Sequence, residues 1–114
     1  MAWQEIQPHL YGGIQPLSGQ LTVASFIAAR GNTLASAFVA NSSNTEWEKV
    51  RLAIKPYYEP MDDRFYILYD TPVAPQGMLQ LAYFGLGVDD EILVYGENGY
   101  AVFNVTGTTI INRA

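Results

Sequence analysis

The side chains in this sequence that are able to do chemistry are few and dispersed. His9 is the single histidine, and it stands between Pro8 and Leu10 rather than beside a nucleophile, an orienting carboxylate or co-ligands. A lone imidazole needs such company to act as a base or to hold a metal. Ser18, Ser25, Ser36, Ser42 and Ser43 lie in strand or turn contexts, none of them within a G-x-S-x-G elbow, so no machinery for nucleophilic catalysis is visible. Acidic residues cluster as Asp62-Asp63 and Asp89-Asp90-Glu91, with Asp70 and Glu97 apart. Loop carboxylates of a β-domain can converge on calcium, but this spacing matches no complete ligand set. The expected role is solvated loop charge or salt links to Arg51, Arg64 and Lys55. A carboxylate pair acting as glycosidase acid and nucleophile is defined by separation in space, and nothing in the spacing favours it. Gly85-Leu86-Gly87 is followed by no helical pattern that would present amides to a phosphate, and it reads as a turn. Asn41-Ser42-Ser43 and Asn104-Val105-Thr106 match the glycosylation sequon by residue type alone. The expectation is a chain that is not an enzyme and takes no metal and no cofactor.

The aromatic residues carry more signal. Tyr57-Tyr58, Phe65-Tyr66, Tyr69, Tyr83-Phe84, Tyr95 and Tyr100 are closely spaced among 8 tyrosines and 5 phenylalanines. In a strand, alternation sends one ring of a doublet inward and its neighbour outward, so several rings should emerge on the surface. Emergent rings suit burial against a protein partner, or stacking on a sugar. Tyr57 and Tyr58 are therefore expected to bind a partner.

The elements that would position these residues follow from periodicity. In Trp47–Lys55, Val50, Leu52 and Ile54 alternate with Lys49, Arg51, Ala53 and Lys55, which predicts a strand with one core face and one wet face. Similar runs at Leu21–Ala28, Thr33–Ala40, Arg64–Tyr69, Met78–Phe84, Glu91–Tyr95, Tyr100–Val105 and Thr108–Ile111 bring the total to about seven or eight strands. Turn formers separate them at Arg30-Gly31-Asn32, Asn41 to Asn44, Tyr58-Glu59-Pro60, Pro72 to Gly77, Gly85 to Gly87 and Gly96 to Gly99. Asn98-Gly99 is the strongest hairpin signal among them. No window sustains a helical period. The prediction is an all-β fold, an antiparallel β-sandwich with jelly-roll or Greek-key connections, over residues 21–114.

Residues 1–20 differ, mixing Pro8, Pro16 and three glycines with large apolar residues and showing no steady period. They read as an extended N-terminal arm whose anchors Trp3, Ile6, Leu10 and Tyr11 order it against another surface, its own sandwich or a neighbouring subunit.

Composition bounds the rest. At 114 residues and 49% hydrophobic, the chain suits one compact domain. Six Lys and Arg against 11 Asp and Glu give a net charge of −5 with the bases scattered, which argues against a nucleic-acid partner. With no cysteine there is no disulfide frame and no thiolate-bound zinc. No apolar run approaches the roughly 18 residues that span a bilayer, and MAWQEIQPHL lacks a basic region followed by an apolar stretch, so neither a membrane partner nor export is expected.

From Phe26 to Ile110 the order of features resembles a small β-sandwich protein common in the structural gene clusters of tailed bacteriophages. The likeness runs through Phe26-Ile27-Ala28-Ala29-Arg30-Gly31, Leu34 to Asn41 and Val50-Arg51-Leu52-Ala53-Ile54. It continues through Tyr66 to Val73, Gly85-Leu86-Gly87-Val88-Asp89-Asp90-Glu91-Ile92-Leu93-Val94-Tyr95 and Phe103 to Ile110. It rests on strands and turns, not on catalytic residues. What it implies is a non-enzymatic virion component assembled in the host cytoplasm. First among such roles is a capsid decoration or cement protein, a homo-oligomer such as a trimer that binds the major capsid protein of the shell, with the arm Trp3 to Leu17 lying across a neighbour. A tail, neck or fibre accessory protein and a receptor- or glycan-binding module are the alternatives.

Overall fold

The computed structural model describes residues 3–24, 32–87 and 89–113, with side chains for 13–24, 33–81, 84–87 and 89–108. It contains eight described strands: β1 (Trp3–Ile14), β2 (Thr22–Ala24), β3 (Asn32–Asn41), β4 (Glu48–Lys55), β5 (Tyr66–Val73), β6 (Met78–Leu86), β7 (Glu91–Gly96) and β8 (Ala101–Arg113). They form two antiparallel sheets, one ordered β1-β8-β3-β6 (sheet A) and the other β2-β7-β4-β5 (sheet B). β1 pairs with β8, β2 with β7, β3 with β6 and β4 with β5. The chain is thus one long hairpin, folded back at the β4–β5 connection and rolled so that β8 also meets β3 and β7 meets β4. This is the jelly-roll form of the expected sandwich.

Alternation builds the core. Ala35, Ala37, Val39, Phe103 and Val105 of sheet A pack against Val50, Leu52, Val73, Ile92 and Val94 of sheet B. Among the described residues Phe103 is the largest fully buried side chain, and placing such a ring out of water contributes about 1.5–3 kcal/mol. The flanking alanines and valines leave room for it.

Several boundaries differ from the sequence expectation. β5 starts at Tyr66 rather than Arg64, because Asp62 accepts from the Arg64 amide and holds Asp63–Phe65 in a single 3-10 turn. It then runs on through Asp70 and Pro72, residues that read as its end. Thr108–Ile111 is no separate strand; Gly107 lies within β8, opposite His9 and Ala35. Gly85 and Leu86, expected in a turn, close β6, with Leu86 in the core.

The Asn98-Gly99 hairpin is absent, since β7 and β8 lie in different sheets. A two-residue hairpin of the Asn-Gly kind needs positive φ at both central residues, and here only Gly99 has it, at +81°. The connection is instead a corner between the sheets.

The expected arm is extended, but over Trp3–Ile14 the surface it meets is its own sandwich and not a neighbour, because β8 offers it a ladder in the same chain. Trp3–Ile14 pairs with β8 from Trp3↔Arg113 to Ile14↔Phe103, and Ile14 packs on the core. Residues 15–19 then dock on the β7–β8 corner, with Gln15 Nε2 donating to Gly99 O (2.8 Å), Ser18 Oγ to Glu97 O (2.8 Å) and Gly19 N to Gly96 O (2.9 Å).

Candidate functional site

Two groupings of functional side chains stand out, one buried and one exposed. The buried one centres on Glu48, the first residue of β4, whose side chain is fully out of solvent. Its Oε1 accepts from the Asn98 amide (2.8 Å), and its Oε2 accepts from the amides of Tyr100 (2.7 Å) and Ala101 (3.1 Å). Three amide donors on its two oxygens satisfy a carboxyl group that burial has cut off from water, so the cost of burying it is offset by the corner it organises. Gly96 lies against it, and a Cβ there would meet Ala101 Cβ at 2.9 Å and Glu48 Oε2 at 3.1 Å. The arrangement fixes the corner and leaves the carboxylate no open side on which to act as a base.

The exposed grouping lies on the outer side of sheet B, with Tyr69 open to solvent and Arg51, Tyr66, Asp70 and Tyr95 half-buried. The Arg51 guanidinium lies 4.2 Å from the Tyr69 ring centroid, 4.5 Å from that of Tyr95 and 5.9 Å from that of Tyr66. Its Nε donates to Asp70 Oδ1 at 2.6 Å. Tyr66 and Tyr69 meet edge to face, with centroids 5.0 Å apart. The register shift of β5 between Val50 and Leu52 places the local bulge here, with Asp70 at φ +47°. The hydrogen bond to Asp70 raises the Arg51 pKa, opposed by desolvation and supported by Tyr66 and by the charge of Asp70. The hydrogen bond from Arg51 lowers that of Asp70, opposed by desolvation and supported by the charges of Arg51 and Lys49. Rings already facing a cation of their own are held in place, and Tyr69 remains 55% exposed. Beneath this grouping the wet face expected of β4 is partly dry: Ala53 and Leu93, paired with each other, are both buried.

Tyr57 and Tyr58 follow β4 in a turn and are 64% and 82% exposed. The expectation that one ring of this doublet points inward fails because the pair is not in a strand, where alternation would operate. Asp90 fixes their loop, its Oδ1 accepting from the Tyr57 amide and its Oδ2 from the Gly87 amide. In the other doublet, Phe84 packs on the core and Tyr83 lies outside the described side chains. Trp3, Ile6, Leu10 and Tyr11 have their backbones in β1, at the edge of sheet A, and their side chains also lie outside those described. The six candidate partner-binding residues therefore sit on two different elements, β1 of sheet A and the loop leaving β4 of sheet B. Phe26–Gly31 and Val88 of the family resemblance fall outside the described residues.

The acidic residues have local uses. Asp62 caps the 3-10 turn, Asp90 holds two amides, Asp70 pairs with Arg51, Glu91 with Lys55 (3.5 Å) and Glu59 with Arg64 (2.7 Å). Among the described residues no group of three or more His, Cys, Asp or Glu could hold a metal ion. Asn41, the first sequon residue, is buried and donates through Nδ2 to Glu46 O (2.7 Å) and Val73 O (3.0 Å), while its Oδ1 accepts from the Ser43 amide. Sequence reasoning passed over Glu48 and Asn41 as structural groups. The signal for Glu48 was present: it has the parity of Val50, Leu52 and Ile54, so the same alternation carried one step back places it inward.

No family model, no curated protein and no solved structure matches the chain.

Proposed function

We propose that the protein is a non-enzymatic structural component of a tailed-bacteriophage particle, a decoration or cement protein that binds the major capsid protein of the shell. The observation that carries the reading is how much large apolar and aromatic surface stays open: Tyr58 is 82% exposed, Leu17 70%, Tyr57 64%, Met78 62% and Trp47 59%. Apolar surface of this kind is the material of protein interfaces. The carboxylates of Glu48, Glu59, Asp70 and Asp90, by contrast, are engaged with amides and cations of the same chain. Jelly rolls serve in viral capsids and in lectins, an analogy at the level of fold. On a symmetric shell, modest contacts multiply when several copies are engaged together.

The exposure of Tyr57 and Tyr58 on one loop favours a second reading, in which they stack on a host glycan. One experiment separates the two. The purified protein is incubated with emptied heads, isolated tails and host cells of the encoding phage, and each is sedimented. Saturable binding to heads alone is expected, weakened in a Tyr57→Ser/Tyr58→Ser variant. Binding to cells that the same variant abolishes transfers the role to glycan recognition, and binding to none of the three overturns both readings.

A further inference from the structure

The two outer strands of sheet A differ from what a monomer needs. β1 (12 residues) and β6 (9 residues) each have one strand neighbour among the described residues, and among those residues no strand lies on the far side of either. Proteins that stay monomeric blunt such edges with charges, proline or bulges. The β6 sequence MLQLAYFGL contains no charged residue and no proline, and β1 contains Glu5 alone among Asp, Glu, Lys and Arg. The interruptions are one register shift in β6 and, in β1, Pro8 and a shift between Leu10 and Gly12. The β5 edge of sheet B is blunted more heavily, by two register shifts, Asp70 at positive φ, and Pro72.

Direction decides what fits. Sheet A has four strands, each antiparallel to the next, so β1 and β6 run in opposite directions. A second copy rotated about an axis along the strands then brings its β1 antiparallel to the first copy's β6. Gly13, Asn104, Phe38 and Gln80 stand on one row across the sheet, so in an unstaggered pairing Gln80 of one copy meets Gly13 of the next. A two-fold dimer through β1 alone leaves both β6 edges open, whereas a closed head-to-tail ring leaves none.

We propose that copies of this chain join head to tail, β6 of one adding antiparallel to β1 of the next, and close into a ring. The inference rests on the reading of the chain as an assembly protein, and names the partner and the surface: a second copy, at the edges of sheet A. It places sheet B and its aromatic grouping outside the self-contact, free for another partner.

Because the chain has no cysteine, single introduced thiols report contacts cleanly. Native mass spectrometry of the full chain should give one assembly of three or more copies. A Gln80→Cys protein mixed with a Gly13→Cys, His9→Cys or Gln7→Cys protein should form a disulfide-linked pair under mild oxidation at one of these positions. Neither partner alone should do so, since a disulfide requires Cα atoms within roughly 7 Å. Gly85, exposed on β6 with nothing within 4 Å of a Cβ built on it, accepts lysine within its own copy. A Gly85→Lys protein with an unchanged circular dichroism spectrum should lose the ring and run as monomer. If that variant does not fold, the disulfide pattern still decides. A wild-type monomer, a dimer as the largest species, or crosslinks within β1 single variants alone overturn the proposal. A monomer that still sediments with heads overturns the ring and leaves the decoration role standing; a ring that binds no head does the reverse.

Discussion

Replacing Glu48 by glutamine tests whether one buried carboxylate holds the corner between the sheets. The two oxygens are not equivalent: Oε2 accepts two amides, from Tyr100 and Ala101, and Oε1 accepts one, from Asn98. A glutamine keeps its carbonyl where two amides converge, so its NH2 faces the Asn98 N–H, donor against donor. One orphaned amide costs about 1–3 kcal/mol, and the other two bonds lose the added strength of a charged acceptor. Offsetting this, the neutral side chain no longer bears the cost of taking a charge out of water. The net is a loss of about 2 kcal/mol for Glu48→Gln, and about 4 kcal/mol for Glu48→Ala, which orphans all three amides and leaves a cavity. At this chain length about 2 kcal/mol lowers Tm by about 8 °C. The check is urea and thermal unfolding at one fixed protein concentration, since self-association would add a concentration-dependent term. Amide exchange should lose protection first at Asn98, Tyr100 and Ala101, while Glu46→Gln, on the exposed loop before β4, should fall within about 0.5 kcal/mol of wild type. A Glu48→Gln protein as stable as wild type, with those three amides still protected, would refute the clamp.

Three further outcomes follow from the same geometry. Gly96→Ala should cost about 2 kcal/mol by overpacking, because its Cβ would stand 2.9 Å from Ala101 Cβ; chemical denaturation measures it. Asn41→Ala should cost about 2 kcal/mol by removing the donors to Glu46 O and Val73 O, read in the same assay. Arg51→Ala should return the Asp70 titration, followed by NMR, upward to the ordinary carboxylate value. With the folded pKa below the unfolded one, the Arg51–Asp70 pair contributes stability above roughly pH 4, and that contribution is lost as the pH falls through the folded value. An Asp70 midpoint that does not move in the variant removes Arg51 as the cause.

β3 was legible because one of its faces is packed and the other is more open, and the same alternation showed β4 as far as Leu52; β7, buried on both faces from Ile92 to Val94, was legible instead as a short run of branched apolar residues. β1 was not. Trp3–Ile14 mixes Pro8 with Gly12 and Gly13 and has no steady period, and an edge strand needs none, since its ladder with β8 asks only for extended backbone. The Asn98-Gly99 dipeptide misled for the opposite reason. Its local preference for a hairpin is real, but the amides around it are taken by Glu48, fifty residues away in sequence, and a contact of that range leaves no trace in a short window. The exposed tyrosines were legible as surface, yet the Arg51 grouping was not, because it depends on the β5 bulge that sets Tyr69 and Asp70 beside one guanidinium.

The corner also explains how the N-terminal edge strand is kept in place. A chain crossing between two sheets cannot satisfy its polar backbone from either ladder, so every group needs another partner. The donors go to β4: Glu97 N to Lys49 O, and those of Asn98, Tyr100 and Ala101 to the Glu48 carboxylate. The acceptors go elsewhere. Gly96 O, Glu97 O and Gly99 O are met by Gly19, Ser18 and Gln15, and Tyr100 O is met by the amide and hydroxyl of Ser42. One short corner thereby ties β4 of sheet B to the segment that follows β1 of sheet A. Loosening Glu48 should release not only the corner but the tether of β1. The proposed ring makes that consequence visible, because its β1 edge must be presented at a fixed register: Glu48→Gln at a temperature where the domain is still folded should weaken self-association.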